Sequence, residues 1–445
     1  MKQRTRIGAG ATLAAALFVA GALGVTHSGK AAVQPGVVQV AGPAAKGGLV
    51  HVAGASLEQT ISDLQLHLKS SPNDHVSWST LGLAYVQQAK VTVNSDFYPL
   101  AEGVLNKSLG INKDDNFLAY AGLSALASAR HDFLAARTFA EQGLKIDRYS
   151  AILYGALSDA QTQLGDYDAA FASVQKMVDL SPDTSSLARA SYSWELRGDI
   201  AKAQEFMQRA ADDAPNGTSR AFALIHLGEL TFNDGDANAA LNYYLAALQA
   251  APGDPAALAG KARAAAALGQ TMTALDAYAE VVQRAPEPSY IVDYGELLQS
   301  VGRISEAAAQ YSVFETTQKL FEANGVVSDT TSALFYANHG DPARALRDAE
   351  AGIASRPFLA TYDAYAWALH QNGRDKDALV AIDKALSLGT RSALFHFHAG
   401  MIKNSLGDLA GARSELALAL AINPTFSPLD APVAVSALAQ LESSV

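Results

Sequence analysis

Eight glycines recur along this sequence at Gly165, Gly198, Gly235, Gly269, Gly302, Gly340, Gly373 and Gly407, separated by 33, 37, 34, 33, 38, 33 and 34 residues. Five residues after each glycine stands an alanine: Ala170, Ala203, Ala240, Ala274, Ala307, Ala345, Ala378 and Ala412. A glycine at fixed period marks a tight reversal, because a chain that turns back after a helix needs a residue with positive φ. A small residue at a fixed distance beyond it lets the two helices flanking the turn approach closely. Four residues further on a bulkier apolar side chain recurs, at Val174, Met207, Tyr244, Tyr278, Tyr311, Ile382 and Leu416, with Ala349 as the exception. That spacing is one helical turn, so alanine and bulky residue share a core-facing row. Prolines close many of the units, at Pro182, Pro215, Pro252, Pro286, Pro357 and Pro424, where each stops one helix before the next begins.

Periods of this length belong to helical solenoids, in which each unit buries its apolar face only against its neighbours. The composition agrees: 49% of the residues are hydrophobic and only 17% charged, and the abundant alanine combines small volume with the highest helix propensity. Within the array, Trp78, Leu81, Gly82 and Tyr85 follow W-x2-L-G-x2-Y, and Leu224, Leu227, Gly228, Ala240, Tyr244 and Pro252 fill most of a second unit. The sequence from 75 to 426 therefore resembles the tetratricopeptide repeat family. The resemblance implies an all-α, right-handed α-solenoid of stacked antiparallel helix pairs, about ten units over 75–426, and a protein or peptide partner held on the concave face.

The flanks read differently. Lys2, Arg4 and Arg6 precede an uncharged run from Ile7 to Val25, the pattern of an export signal or a signal anchor over residues 1–31. Residues 32–54, with Pro35, Pro43 and several glycines, are expected to form a flexible tether. An amino-terminal helix is expected over 55–73, capped by Ser56 and carrying Leu57, Ile61, Leu64 and Leu68 on one face. A capping helix is expected over 427–445. These features place the repeats outside the cytoplasm: extracellular, periplasmic or cell-surface, with membrane contact only through an uncleaved anchor.

Charge narrows the partners. All five cations before Glu58 lie in the first 46 residues, so the rest of the chain carries 28 basic and 44 acidic residues, a balance of −16. Such a body repels phosphate backbones, and nucleic acid is not an expected partner. With no cysteine, disulfides, thiolate metal sites and cysteine nucleophiles are excluded. The sequence also lacks G-x-S-x-G, G-x-x-x-x-G-K-[ST], H-E-x-x-H and an EF-hand loop. Neither catalysis nor a cofactor is expected.

The close histidine pair His396 and His398 sits two residues apart on an expected helix, where the side chains face different directions and cannot share a metal. No metal is assigned. The residues 89–99 insert about seven positions into the first unit, since Tyr85 to Ala101 spans 16 residues where a regular unit has 9. The 38-residue spacing before Gly340 calls for a longer second helix in the seventh unit, through Gln318 to Asn324.

As the resemblance implies, the stacked first helices expose a concave set comprising Asp159, Tyr192, Glu195, Phe222, Glu229, Phe232, Arg263, Glu296, Gln299, Asn338, Asp363, Trp367, His370, Phe397, Met401 and Asn404. One position of that set reads Asp159, Tyr192, Glu229, Arg263, Glu296, Leu334, Trp367 and Met401 through successive units. Its acidic middle and apolar carboxy-terminal end complement a peptide with basic and aromatic character. The leading expectation is a non-catalytic scaffold or adaptor that binds an extended segment. The alternatives are an envelope-complex assembly factor, or a substrate-presenting accessory of a separate enzyme. Arrays of this kind precede the catalytic half of glycosyltransferases resembling O-linked N-acetylglucosamine transferases, and the roughly twenty residues after the last unit leave no room for such a half here.

Overall fold

The computed structural model describes residues 57–92, 94, 96–323 and 330–443. The expected signal, the tether and the Ser56 cap lie outside the described residues, as do the last two positions. Among the described residues every regular element is a helix. A first helix, α1 (Leu57–Ser70), precedes ten helix pairs: α2 (His75–Thr92) with α3 (Phe97–Ile111), α4 (Phe117–Ala129) with α5 (Phe133–Ile146), α6 (Ala151–Gln163) with α7 (Tyr167–Leu180), α8 (Thr184–Leu196) with α9 (Ile200–Asp212), and α10 (Gly217–Asn233) with α11 (Ala237–Ala250). The array continues with α12 (Pro255–Ala267) and α13 (Thr271–Arg284), α14 (Pro288–Ser300) and α15 (Ile304–Ala323), α16 (Thr330–Asn338) and α17 (Pro342–Ser355), α18 (Leu359–Gln371) and α19 (Asp375–Ala385), then α20 (Ala393–Ser405) and α21 (Leu409–Ile422). Helix α22 (Asp430–Ser443) follows the tenth pair. Helices of a pair pack on each other, as α4 on α5 and α20 on α21, and successive pairs pack on one another, as α5 on α6 and α19 on α20; the chain is an all-α solenoid.

The turn glycines behave as their period requires. All eight have φ between 71° and 96°, and at each the residue that follows donates its N–H to a carbonyl five residues back, as in Asp236 to Thr231 at 3.1 Å and Asp341 to Tyr336 at 3.0 Å. This bond satisfies a carbonyl that the helix end would otherwise leave open. The following residue is often aspartate, which then starts the second helix: Asp236, Asp341 and Asp408 each accept an N–H from three residues ahead. The second pair has no glycine at its turn. His131 takes the left-handed conformation there, at φ 61°.

The eight alanines of the repeat are each 0–2% exposed. Around them, a large side chain of the second helix reaches between the first helix of its own pair and that of the next. Tyr244 is the clearest case: it is fully buried, and a methyl group added at Gly228 or Gly260 would lie 2.7 or 2.2 Å from its Cε1. Leu105 fits the same way against Gly82 and Gly122, and Tyr311 against Gly295.

The insertion at 89–99 is taken up largely by helix. The first helix of the first pair runs 18 residues to Thr92, and α3 begins at Phe97. The long spacing before Gly340 falls in α15, which runs 20 residues.

The described residues form two compact units: one of those between 57 and 190 together with 213–220, the other of 191–212 together with those between 221 and 443. In the first, Leu57, Ile61, Leu64 and Leu68 of α1 join Leu81, Tyr85 and Leu105 in one core, and Ser79, Ser108 and Asn116 form a buried hydrogen-bond triangle with edges of 2.8–3.1 Å. In the second, a continuous core runs from Ile291 through Phe314, Trp367 and Leu416 to Leu441. No helix among the described residues is long and apolar enough to cross a membrane.

This packing predicts an asymmetry between helical glycines. Gly260→Ala drives a methyl into the Tyr244 ring and is expected to destabilise the fold by about 1–3 kcal/mol. Gly103→Ala, with nothing within 4 Å of the new methyl, is expected to be neutral or to stabilise by up to about 1 kcal/mol. Denaturant unfolding followed by helicity checks both.

Candidate functional site

The sixteen residues of the expected concave set divide into four situations. Asp159, in the first unit, is engaged by Arg189, whose guanidinium donates to both carboxylate oxygens at 2.9 and 2.7 Å. The other fifteen lie in the second unit. There Phe232, Asp363, Trp367 and Phe397 are only 1–5% exposed. These four belong to the core, so the aromatic anchors expected at the carboxy-terminal end are not presented to a ligand.

The reason is that this end of the array fills its first-helix face with aromatic and imidazole rings. Trp367 stacks on His398 with ring centroids 4.2 Å apart, and His370 and Phe397 lie 4.9 and 5.7 Å from it. Buried polar atoms in such a block need partners. His398 Nδ1 pairs with Asp363 at 2.8 Å, Trp367 Nε1 donates to Asn338 at 2.7 Å, and His370 pairs with Asp375 at 2.5 Å. His396 points elsewhere, to Glu415 at 2.7 Å, where Lys403 also reaches at 2.6 Å. The two histidines thus diverge to separate carboxylates, and His398, not His396, is the buried member of the pair. Met401 and Asn404 are half-buried beside this block. Among the described residues no group of three or more His, Cys, Asp or Glu is placed to hold a metal ion.

A polar row remains along successive first helices. Glu195 comes from α8, Glu229 from α10, Arg263 from α12, Asp293 and Glu296 from α14, and all are half-buried. His226 Nδ1 pairs with Glu229 at 2.7 Å, and Phe222 meets the His226 ring edge-on at 4.5 Å. His339, in the turn after α16, pairs with Glu296 at 3.2 Å. The tyrosines of the second helices, having passed between the first helices, end in this row. Tyr244 Oη accepts from Arg263 Nη2 at 3.2 Å, and Tyr311 Oη donates to Gln299 at 2.8 Å. The Arg263 guanidinium lies 4.6 Å over the ring of Phe232, a cation–π contact. Tyr192 is half-buried on the same helix as Glu195.

The electrostatics follow from four partly desolvated carboxylates, of which Glu229 and Asp293 feel the Arg263 guanidinium while His226 and His339 act on Glu195, Glu229 and Glu296. Burial first, and the like charge of Glu229 second, push the Glu195 carboxyl up to about 7 against the opposing pull of His226. Burial also raises Asp293 to about 7, with Glu296 adding to it and Arg263 opposing. Glu296 is raised by burial and by the nearby Asp430, with His339 opposing. Burial works to raise Glu229 too, but His226 and Arg263 outweigh it and hold this carboxyl below its ordinary value. Burial pushes the Tyr244 hydroxyl up to about 12, with Arg263 opposing. Neutral hydroxyls and competing carboxylates therefore line the row around Arg263.

Sequence reasoning reached Glu195, Glu229, Arg263, Glu296 and Gln299 of this row through the repeat register. It missed His226, Asp293, His339 and the tyrosine hydroxyls. The hydroxyls were legible in principle, since Tyr244, Tyr278 and Tyr311 occupy one position in three consecutive units, and a buried tyrosine needs an outlet for its oxygen.

A family model for the tetratricopeptide repeat matches residues 151–184, the third helix pair of the array. The chain is a tetratricopeptide repeat protein, with the glycine turn and buried alanine of that pair recurring through the others. Among solved structures it is similar to PilF of Pseudomonas aeruginosa, at 17% identity over 48% of this chain and 92% of that one with a TM-score of 0.37. It is likewise similar to PilW, a type IV pilus biogenesis factor, at 17% identity over 51% and 97% with a TM-score of 0.40. A tetratricopeptide repeat protein from Parabacteroides merdae aligns at 20% identity over 58% and 98% with a TM-score of 0.35. Likenesses at these identities and TM-scores carry no argument about partner or place. No curated protein matches the chain.

The raised carboxyls predict a pH dependence with a definite sign. Glu195 and Asp293 bind protons more tightly in the folded chain than in the unfolded one, so their contribution is fully present below about pH 4 and is lost as pH rises through about 7. Stability of the array between pH 5 and pH 8 is expected to fall as pH rises. Glu195→Gln with Asp293→Asn is expected to flatten that slope, as read by melting temperature at each pH.

Proposed function

We propose that this protein is a non-catalytic interaction scaffold, and that the polar row of its second unit receives an extended segment carrying lysine or arginine with adjacent aromatic residues. The observation that supports this reading is the acidic excess of the row: Glu195, Glu229, Asp293 and Glu296 stand half-buried, with Arg263 and the imidazoles of His226 and His339 beside them. Arriving cations would relieve the repulsion between these carboxylates and gain charge-assisted hydrogen bonds in a partly desolvated setting. Half-buried Tyr192 and Phe222 offer faces for aromatic or cationic side chains of the same segment.

A tetratricopeptide array generally serves binding, and extended inner surfaces suit segments without structure of their own. The place of action proposed is the exterior or the cell envelope, supported by the basic and apolar pattern of residues 2–25. There an adaptor of this kind would hold or assemble other exported proteins.

Binding of a synthetic peptide alternating lysine, arginine and tryptophan tests the row. The chain is expected to bind it, with affinity falling as salt rises, and Glu195→Lys with Glu296→Lys is expected to weaken binding at least tenfold while helicity is retained. Equal binding by the folded double variant would place the peptide elsewhere.

A further inference from the structure

The second unit makes contacts that a simple stack of helix pairs does not. Thr390 Oγ1, in the loop before α20, donates to the carbonyl of Leu196 at 2.5 Å. Arg391 Nη2 pairs with Asp234 at 3.1 Å. Beyond α21, Asn423 Nδ2 donates to the carbonyl of Phe232 at 2.8 Å, in a buried position. Two of the turn glycines are spent on the same contacts. A methyl at Gly198 would lie 2.2 Å from the carbonyl oxygen of Gly389, and one at Gly235 would lie 2.6 Å from that of Ile422. Gly302, Gly340, Gly373 and Gly407 have open space at the same point of their turns.

These bonds join residues 157 to 194 positions apart, so the turns of the fourth and fifth pairs meet the loops on either side of the tenth. The array here closes on itself after about one superhelical turn. Its closing contacts differ in kind from those between successive pairs. Helices within a pair are held by alanines 0–2% exposed and neighbouring pairs by large side chains between helices, whereas the closure consists of a few hydrogen bonds and an ion pair whose side chains are 45% and 41% exposed. Exposed ion pairs and isolated hydrogen bonds are the weaker class. The closure also leaves Asp430, at the start of α22, acting on Glu296 as a like charge.

We propose that the loops at Gly389–Arg391 and Ile422–Asn423 form a latch, and that the second unit exchanges between a latched turn and an unlatched solenoid with its helix pairs intact. The latch is the contact that gives way first because it is polar and small, and because both of its glycine seats admit a carbonyl oxygen only while they lack a side chain. This holds whatever the polar row binds.

The absence of native cysteine permits a direct test on the full chain. Spin labels at Asn233→Cys and Pro424→Cys, both exposed positions, report the distance across the latch by double electron–electron resonance. The parent is expected to give one narrow short distance as its main population. Gly198→Ala, which wedges the Gly389 carbonyl, and Asn423→Ala, which deletes a latch bond, are each expected to increase a longer-distance population severalfold while helicity is retained. Gly302→Ala strains a turn of the same conformation without touching the latch and is expected to leave the distribution unchanged. A distribution identical in the parent, Gly198→Ala and Asn423→Ala overturns the proposal, as does a parent without the narrow short distance.

Discussion

Eight of the ten helix pairs depend on one close approach, made where an alanine of the second helix meets the first helix across a glycine turn. The eight repeat alanines are almost wholly inaccessible, and that contact sets the helix spacing into which the larger side chains must fit. Close packing leaves no slack for an added methyl group. Hence the first helices themselves carry glycine where a partner ring passes, as at Gly228 and Gly260 around Tyr244. The fold is built by repetition of this joint, and a solenoid results because each joint sees only its neighbours.

The chemistry of the inner row is a by-product of the same joint. A tyrosine long enough to fill the space between two first helices also carries its hydroxyl through to the far side, where Tyr244 meets Arg263 and Tyr311 meets Gln299. Arg263 is thereby fixed by a tyrosine oxygen and the Phe232 ring, while Glu195 and Asp293 are left to compete with neighbouring carboxylates. Partial desolvation makes that competition costly, and the two carboxyls respond by holding protons toward neutral pH. This state of the row is the ground for the proposal that it receives cations from a partner.

Much of the fold was legible because a strict period reports local geometry. Glycine at positive φ, alanine five residues later and a bulky side chain four beyond that are consequences of one turn and one helix, and the structure places all three as their spacing requires. What was less legible depends on contacts between distant parts of the sequence. His131 performs the work of a turn glycine without its chemical signature. Trp367 and Phe397 stand at positions that expose side chains in a generic repeat, yet residues of adjacent repeats and of α22 enclose a common core around them, and Phe232 at such a position is likewise buried. Nothing within a single period reveals that Asn423 will reach Phe232 across 191 positions. Repeat register identifies which residues share a face; burial on that face is decided by what the neighbouring repeats put beside them.

The most direct measurement is photo-crosslinking from chosen positions of the folded chain to proteins of its native surroundings. A photoreactive amino acid at Tyr192 or Gln299, in the inner row, is expected to form discrete adducts that added lysine- and arginine-rich peptide suppresses. The same probe at Met272 or Val380, 66% and 61% exposed on second helices, is expected to form none. Adducts from the second helices alone, or adducts from the inner row that the basic peptide does not suppress, would contradict the account.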